Sequence, residues 1–147
     1  MKDINIPVYF TFGGKTSLLS INWFRNAHFF QQNKVKQALS EVIRPQLKDF
    51  SKLKNTYSII YSYHYKSKVS DMPNVTALAS KWINDVLQDL DLVPNDNVQY
   101  LLSEHHFVGT YDKENPRVEI IIKEHPDGFD IHTLRSIITE SFGNSSI

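Results

Sequence analysis

The amino-acid sequence predicts an α+β fold, a small mixed β-sheet with helices packed against it. Apolar residues recur at three- and four-residue intervals from Val35 to Phe50 and from Val75 to Leu90, the spacing of helices with one buried face. Two other stretches, TYSIIYSYHYK (56–66) and PRVEIIIK (116–123), are rich in branched and aromatic residues. The second alternates Val118, Ile120 and Ile122 with Glu119 and Lys123. These patterns interleave along 147 residues, of which 41% are hydrophobic and 12% aromatic, enough for one packed core.

Taken in order, residues 4–12 (INIPVYFTF) read as the first strand, followed by a Gly13-Gly14-Lys15 turn and a loop to Ile21. The first helix is expected from about Asn33, whose side chain suits an N-cap. Val35, Leu39, Val42, Ile43, Leu47 and Phe50 would face inward, and Pro45 would bend or break the helix. Strand 56–66 follows, and residues 71–74 turn into a second helix. That helix carries Val75, Leu78, Ala79, Trp82, Ile83, Val86 and Leu90 on one face and is ended by Pro94. Residues 98–107 (VQYLLSEHHF) read as a strand, with a short turn near Gly109 before PRVEIIIK. Asp130 is placed to cap a last helix with Ile131, Leu134 and Ile138 inward, and the tail from about 143 frays. The order β-α-β-α-β-β-α holds no internal repeat and no linker, so residues 1–147 read as a single domain.

No cysteine is present, which removes disulfides, thiolate metal sites and a cysteine nucleophile. The N-terminus lacks a signal-peptide layout and no apolar run approaches the ~20 residues of a membrane span, so a cytoplasmic location is expected. The formal net charge of zero hides a division. Residues 1–70 carry 11 Lys/Arg against 3 Asp/Glu, whereas residues 71–147 carry 5 against 13. If the fold keeps that separation, one face suits a polyanion and another suits a divalent metal or a second subunit; if the halves interleave, the field largely cancels.

The residues that invite chemistry lie in SDMPNVTALASKWINDVLQDLDLVPNDNV (70–98). On a helix starting near Asn74, Lys81 lies two turns along and Asp85 one turn further, in a polar stripe about 16 Å long. Asp71 precedes the helix and Asp96 follows it. Carboxylates with a carboxamide are hard oxygen ligands suited to Mg²⁺, and a nearby Lys can stabilise charge on a phosphate. The plainer reading makes Asp71 a cap and Lys81–Asp85 a surface ion pair.

The segment from Asp71 to Asn97 resembles the core of the RusA-like family, Holliday-junction endonucleases common in bacteriophages and prophages. Lys81, Asp85 and Leu87 match its helix, and Asn95-Asp96 matches its loop of paired acids. SINWFRNAHFFQQNKVK resembles the family's N-x-x-R-x-x-H block, and TYDKENPRVEIII its closing turn and strand. Pro73 and Asn95 stand where the family carries acids. The resemblance implies a homodimer that uses Mg²⁺ (or Mn²⁺) to hydrolyse phosphodiesters of branched DNA in recombination and repair. Asp71, Lys81 and Asp96 would be catalytic, with Asp71, Asp96, Asp85 and Asn74 around the metal. Arg25, His28, Lys34 and Lys36 would position DNA, aided by the interleaved Trp23, Phe29 and Phe30. The alternatives are a catalytically impaired branched-DNA-binding protein and a structural or regulatory dimer without nucleic acid. Lys48, Lys52, Lys54, Lys66 and Lys68 extend the candidate basic surface or form an ordinary solvated face. His105 and His106, adjacent in a strand, point to opposite faces and cannot chelate one ion together.

Overall fold

The computed structural model describes residues 2–68, 71–94, 100–128 and 131–142. The chain runs β1 (Lys2–Pro7), β2 (Tyr9–Phe12), β3 (Lys15–Leu18), α1 (Ile21–Asn26), α2 (Phe29–Gln46), β4 (Tyr57–Tyr65), α3 (Met72–Asp89), β5 (Leu101–Tyr111), β6 (Arg117–Glu124) and α4 (Ile131–Phe142). Strands β1, β6, β4 and β5 lie side by side in that order as a mixed sheet, and β2–β3 forms a separate hairpin. β4 and β5 pair in parallel, with α3 as the crossover helix between them, while β1–β6 and β6–β4 are antiparallel. The α+β expectation holds at this level.

Period-two alternation sorts the sheet's two faces. Ile4, Ile120 and Tyr61 form one cross-strand row, and Ile6, Val118 and Tyr63 another, under α2 and α3. The opposite face packs Ile60, Ile121 and partly buried Phe107 against Ile137 of α4. The sheet therefore carries two cores. The helical spacing of α2 and α3 is confirmed by burial of Val35, Leu39 and Ile43 on one and eight residues from Val75 to Leu87 on the other.

Several local expectations need correction. The strand expected over 4–12 is broken at Val8, and its second part pairs with residues 15–18. Gly13 (φ 58°) and Gly14 (φ 80°) both adopt the left-handed conformation that a tight two-residue hairpin turn requires. A short helix, α1, occupies the expected loop, capped by Ser20 Oγ accepting from the Trp23 N–H at 3.2 Å. α2 begins at Phe29 rather than near Asn33, because His28 Nδ1 caps it by accepting from the Phe30 N–H. Pro45 lies in its last turn, where it has no N–H to give the Glu41 carbonyl and the helix ends one residue later, at Gln46. Val42 is exposed, on the outer side of the buried row.

Gly109 is inside β5 and makes no turn. Between Tyr63↔Val108 and Tyr65↔Tyr111, β5 carries one residue more than β4, a bulge that lets the His64 ring lie against Gly109. On α4 the inward residue is Ile137, fully buried, whereas Ile138 is exposed. The expected cap, Asp130, lies outside the described residues, as do residues 143–147 and the side chains of Ile131 and Leu134.

Candidate functional site

α3 starts at Met72 because Asp71 holds extended backbone (φ −94°, ψ 105°) and Pro73 is tolerated in the first turn. The Asp71 carboxylate makes no capping bond to the backbone. Its Oδ2 accepts from Asn74 Nδ2 at 3.1 Å, which joins two of the residues expected to bind metal. Asp71 is exposed and Asn74 half-buried.

Asp85 takes a different partner. Its carboxylate faces Lys36 Nζ of α2 at 3.6 Å, and the expected pair with Lys81 is replaced by this contact. Asp85 lies eleven residues beyond Asn74, about 16 Å along the helix. Ligands of one ion lie ~2–2.6 Å from it, so Asp85 and Asn74 of one chain cannot share a metal. Lys81 Nζ sits 5.6 Å from the centre of the Phe24 ring, which in turn meets Trp82 edge-on. Asp96 and Asn95 lie outside the described residues. The flanking Tyr100 accepts from the Tyr57 N–H at 2.8 Å, at the start of β4, whereas Asp71 follows the far end of that strand. Among the described residues no group of three His, Asp or Glu side chains could hold a metal.

The early basic block surrounds the hairpin and α1. Arg25 is exposed in the last turn of α1, and the His28 ring, besides capping α2, stacks on Phe30 with centroids 5.3 Å apart. Lys34 Nζ lies 5.2 Å from the Phe12 ring centre, and Lys66 Nζ lies 5.3 Å from that of Tyr9. Phe29 and Phe30 are 66% and 71% exposed, unusual for phenylalanine and a reason to look for a ligand. Lys52 is drawn away, paired with Asp91 at 3.1 Å.

A polar network that sequence patterns did not reveal sits between α3 and β5. Glu104 Oε1 accepts from Ser80 Oγ at 2.8 Å, Tyr61 Oη at 3.1 Å and Asn84 Nδ2 at 3.3 Å. Its Oε2 faces His106 Nε2 at 3.5 Å. The Thr76 hydroxyl donates to the Met72 carbonyl, so its oxygen is left to accept from His106 Nδ1 at 2.8 Å. Burial alone would raise the Glu104 pKa, but the hydrogen bonds from His106, Ser80 and Tyr61 outweigh it and hold the carboxyl below its ordinary value. Tyr61 is pushed well above its ordinary value by burial, then by the Glu104 charge. The one legible trace is Thr76, Ser80 and Asn84 at four-residue spacing on α3.

On the other face Ser58 Oγ bonds to Ser103 Oγ at 2.6 Å and to His125 Nε2 at 2.7 Å, and Ser103 reaches His105 at 3.0 Å. Ser58 is fully buried, and Ser103 and His105 are partly buried. His105 and His106 do point to opposite faces, as strand geometry requires.

No protein-family model matches the chain, and no curated protein matches it. Among the described residues no helix is long and apolar enough to cross a membrane.

Proposed function

We propose that the chain is a RusA-like, Mg²⁺-dependent endodeoxyribonuclease that acts on Holliday junctions or other branched DNA, as a homodimer. The observation that carries this reading is that Lys34 of α2, Lys66 just after β4 and Lys81 of α3 each lie over an aromatic ring, on the molecule that presents the Asp71–Asn74 pair. None of the three lysines makes an ion pair among the described residues, so their ammonium groups remain available to phosphates.

One carboxylate with one amide is a thin donor set, and it suits Mg²⁺, which binds through one or two carboxylates and keeps several waters. Asp71 and Asn74 would hold the ion. Bound there, Mg²⁺ would supply an activated water and neutralise charge on the phosphate. Asp71 is fixed in place by the Asn74 amide at the start of a rigid helix. Lys34, Lys66 and Arg25 would guide the DNA backbone, while Lys81 would add positive charge beside it.

A synthetic four-way junction incubated with the protein and Mg²⁺ should be nicked in opposed strands, and Asp71→Asn should abolish the nicks without changing the thermal melt. A second reading, a branched-DNA-binding protein without catalysis, is favoured by Pro73, which occupies a position where a second acid would otherwise stand at the head of α3. It expects salt-sensitive junction binding and no nicks with any divalent metal. A chain that neither binds nor cuts junctions would leave the structural-dimer reading.

A further inference from the structure

We propose that the groove between the β2–β3 hairpin and the α1–α2 helices receives one unstacked nucleobase of the bound DNA strand, an inference that rests on the branched-DNA reading. The groove encloses about 390 Å³, within the ~300–1,000 Å³ range of small-molecule sites. Phe10, Phe12 and Trp23 present aromatic surface to it, and Asn22 and Gln31 bring side-chain amides. Among the described residues those two amides make no protein hydrogen bond, so their donors and acceptors are free for the edge of a base.

Charge selects the rest of the ligand. Lys15 lines the groove, Lys34 lies over the Phe12 ring, and no acid is among the lining residues. A base with its phosphate satisfies all of these groups at once: the ring stacks, the amides pair with its edge, and the lysines meet the backbone. Phe29 and Phe30, exposed at the start of α2 beside Gln31, offer stacking surface to the neighbouring base. Branched DNA supplies such bases where strands exchange, because a base there is cheaper to unstack than one inside a duplex.

The test uses the full chain and the fluorescence of its two tryptophans. Trp82 is buried, so a change on binding reports Trp23. Titration with a short oligothymidylate should quench Trp23 saturably, and 2-aminopurine at the exchange point of a four-way junction should brighten on binding. Phe12→Ala should weaken oligothymidylate binding about 5- to 150-fold. Gln31→Ala, at a surface position that does not endanger the hairpin, should weaken it several-fold and lower the 2-aminopurine signal. The groove assignment is overturned if the wild type binds junctions while Trp23 and 2-aminopurine stay silent and both variants bind like the wild type; the branched-DNA reading would then survive alone. Equal affinity for thymidine monophosphate and for the oligomer would also overturn it, pointing to a free nucleotide. Failure to bind either DNA would remove both proposals.

Discussion

Replacing Gly109 with alanine tests how closely the His64 ring packs against β5. A Cβ built there would lie 2.7 Å from His64 Nδ1, 2.8 Å from His64 Cε1 and 3.1 Å from the Tyr63 carbonyl oxygen. The backbone at this position is compatible with alanine, so the substitution also reduces the freedom of the unfolded chain, worth about 0.4–1 kcal/mol in its favour. Against that, the ring must move. His64 Nδ1 accepts from the Thr110 N–H at 3.1 Å and bonds the Thr110 hydroxyl at 3.0 Å, and moving the ring weakens both, at ~0.5–1.5 kcal/mol each. The clash wins: Gly109→Ala should destabilise by about 1–2 kcal/mol, lowering Tm by ~2–8 °C in a domain of this size.

Urea melts of four proteins separate the causes: wild type, Gly109→Ala, His64→Ala and the double variant. If the imidazole is the obstacle, Gly109→Ala should be neutral or slightly stabilising once His64 is alanine, a coupling of about 1–3 kcal/mol. A single Gly109→Ala variant as stable as wild type would refute the reasoning, since it would mean the ring swings aside at no cost. Equal destabilisation in both backgrounds would place the clash at the Tyr63 carbonyl instead.

Acid should destabilise the protein in two steps. Burial, followed by neighbouring positive groups, lowers the pKa of His64 (Arg117), His105 (His106) and His125 (Lys123), so the unfolded chain takes up those protons first. Stability is then full above the ordinary imidazole pKa of ~6.5 and falls as pH drops below it. Glu104 and Glu124, whose pKa values are lowered by hydrogen bonds against the opposing effect of burial, add a second loss below ~4.3; a flat urea midpoint from pH 7 to 5 would contradict the histidine step. Ile137→Ala should cost about 2–5 kcal/mol and Ile138→Ala under ~1, and equal losses would deny the observed register of α4. Gln46 covers the outer edge of β1, accepting from the Asn5 N–H and donating to the Asn5 carbonyl, each at 2.8 Å. Gln46→Ala should cost about 1 kcal/mol and increase concentration-dependent association in light scattering, because it uncovers a strand edge.

What could be read from the sequence is what repeats. α2 and α3 each bury one face over many residues, so their period of 3.6 stands out, and β4 and β6 stand out as runs of branched and aromatic residues. α1 has six residues and no fully buried one, too short for any period, and only Ser20 marks its start. The bulge at Gly109 depends on a histidine 45 positions earlier, and the choice of Ile137 over Ile138 depends on where Ile60 and Ile121 lie. The candidate site divides the same way. Asp71 and Asn74 meet because they are three residues apart at a helix start. Asp85 turns to Lys36 because α2 packs beside α3, a long-range fact. The Glu104 network needs β5 docked under α3 before any of its members can be recognised.

The charge division also reads differently once folded. The sheet order β1-β6-β4-β5 alternates strands of the basic first half with strands of the acidic second half. Interleaving brings Lys36 to Asp85, Lys52 to Asp91 and Glu124 to the Lys54 backbone, so two of the first half's cations are paired with acids of the second. A basic surface then depends on which cations find no acid, not on the total for residues 1–70. Those over rings at Phe12, Tyr9 and Phe24 meet that condition among the described residues, and an aromatic face holds a lysine in place without neutralising it. The same rings supply stacking surface. Charge and aromatic surface converge on the hairpin and α1, the part of the chain whose structure the sequence patterns made least legible, and this is where the proposed DNA strand would have most to hold.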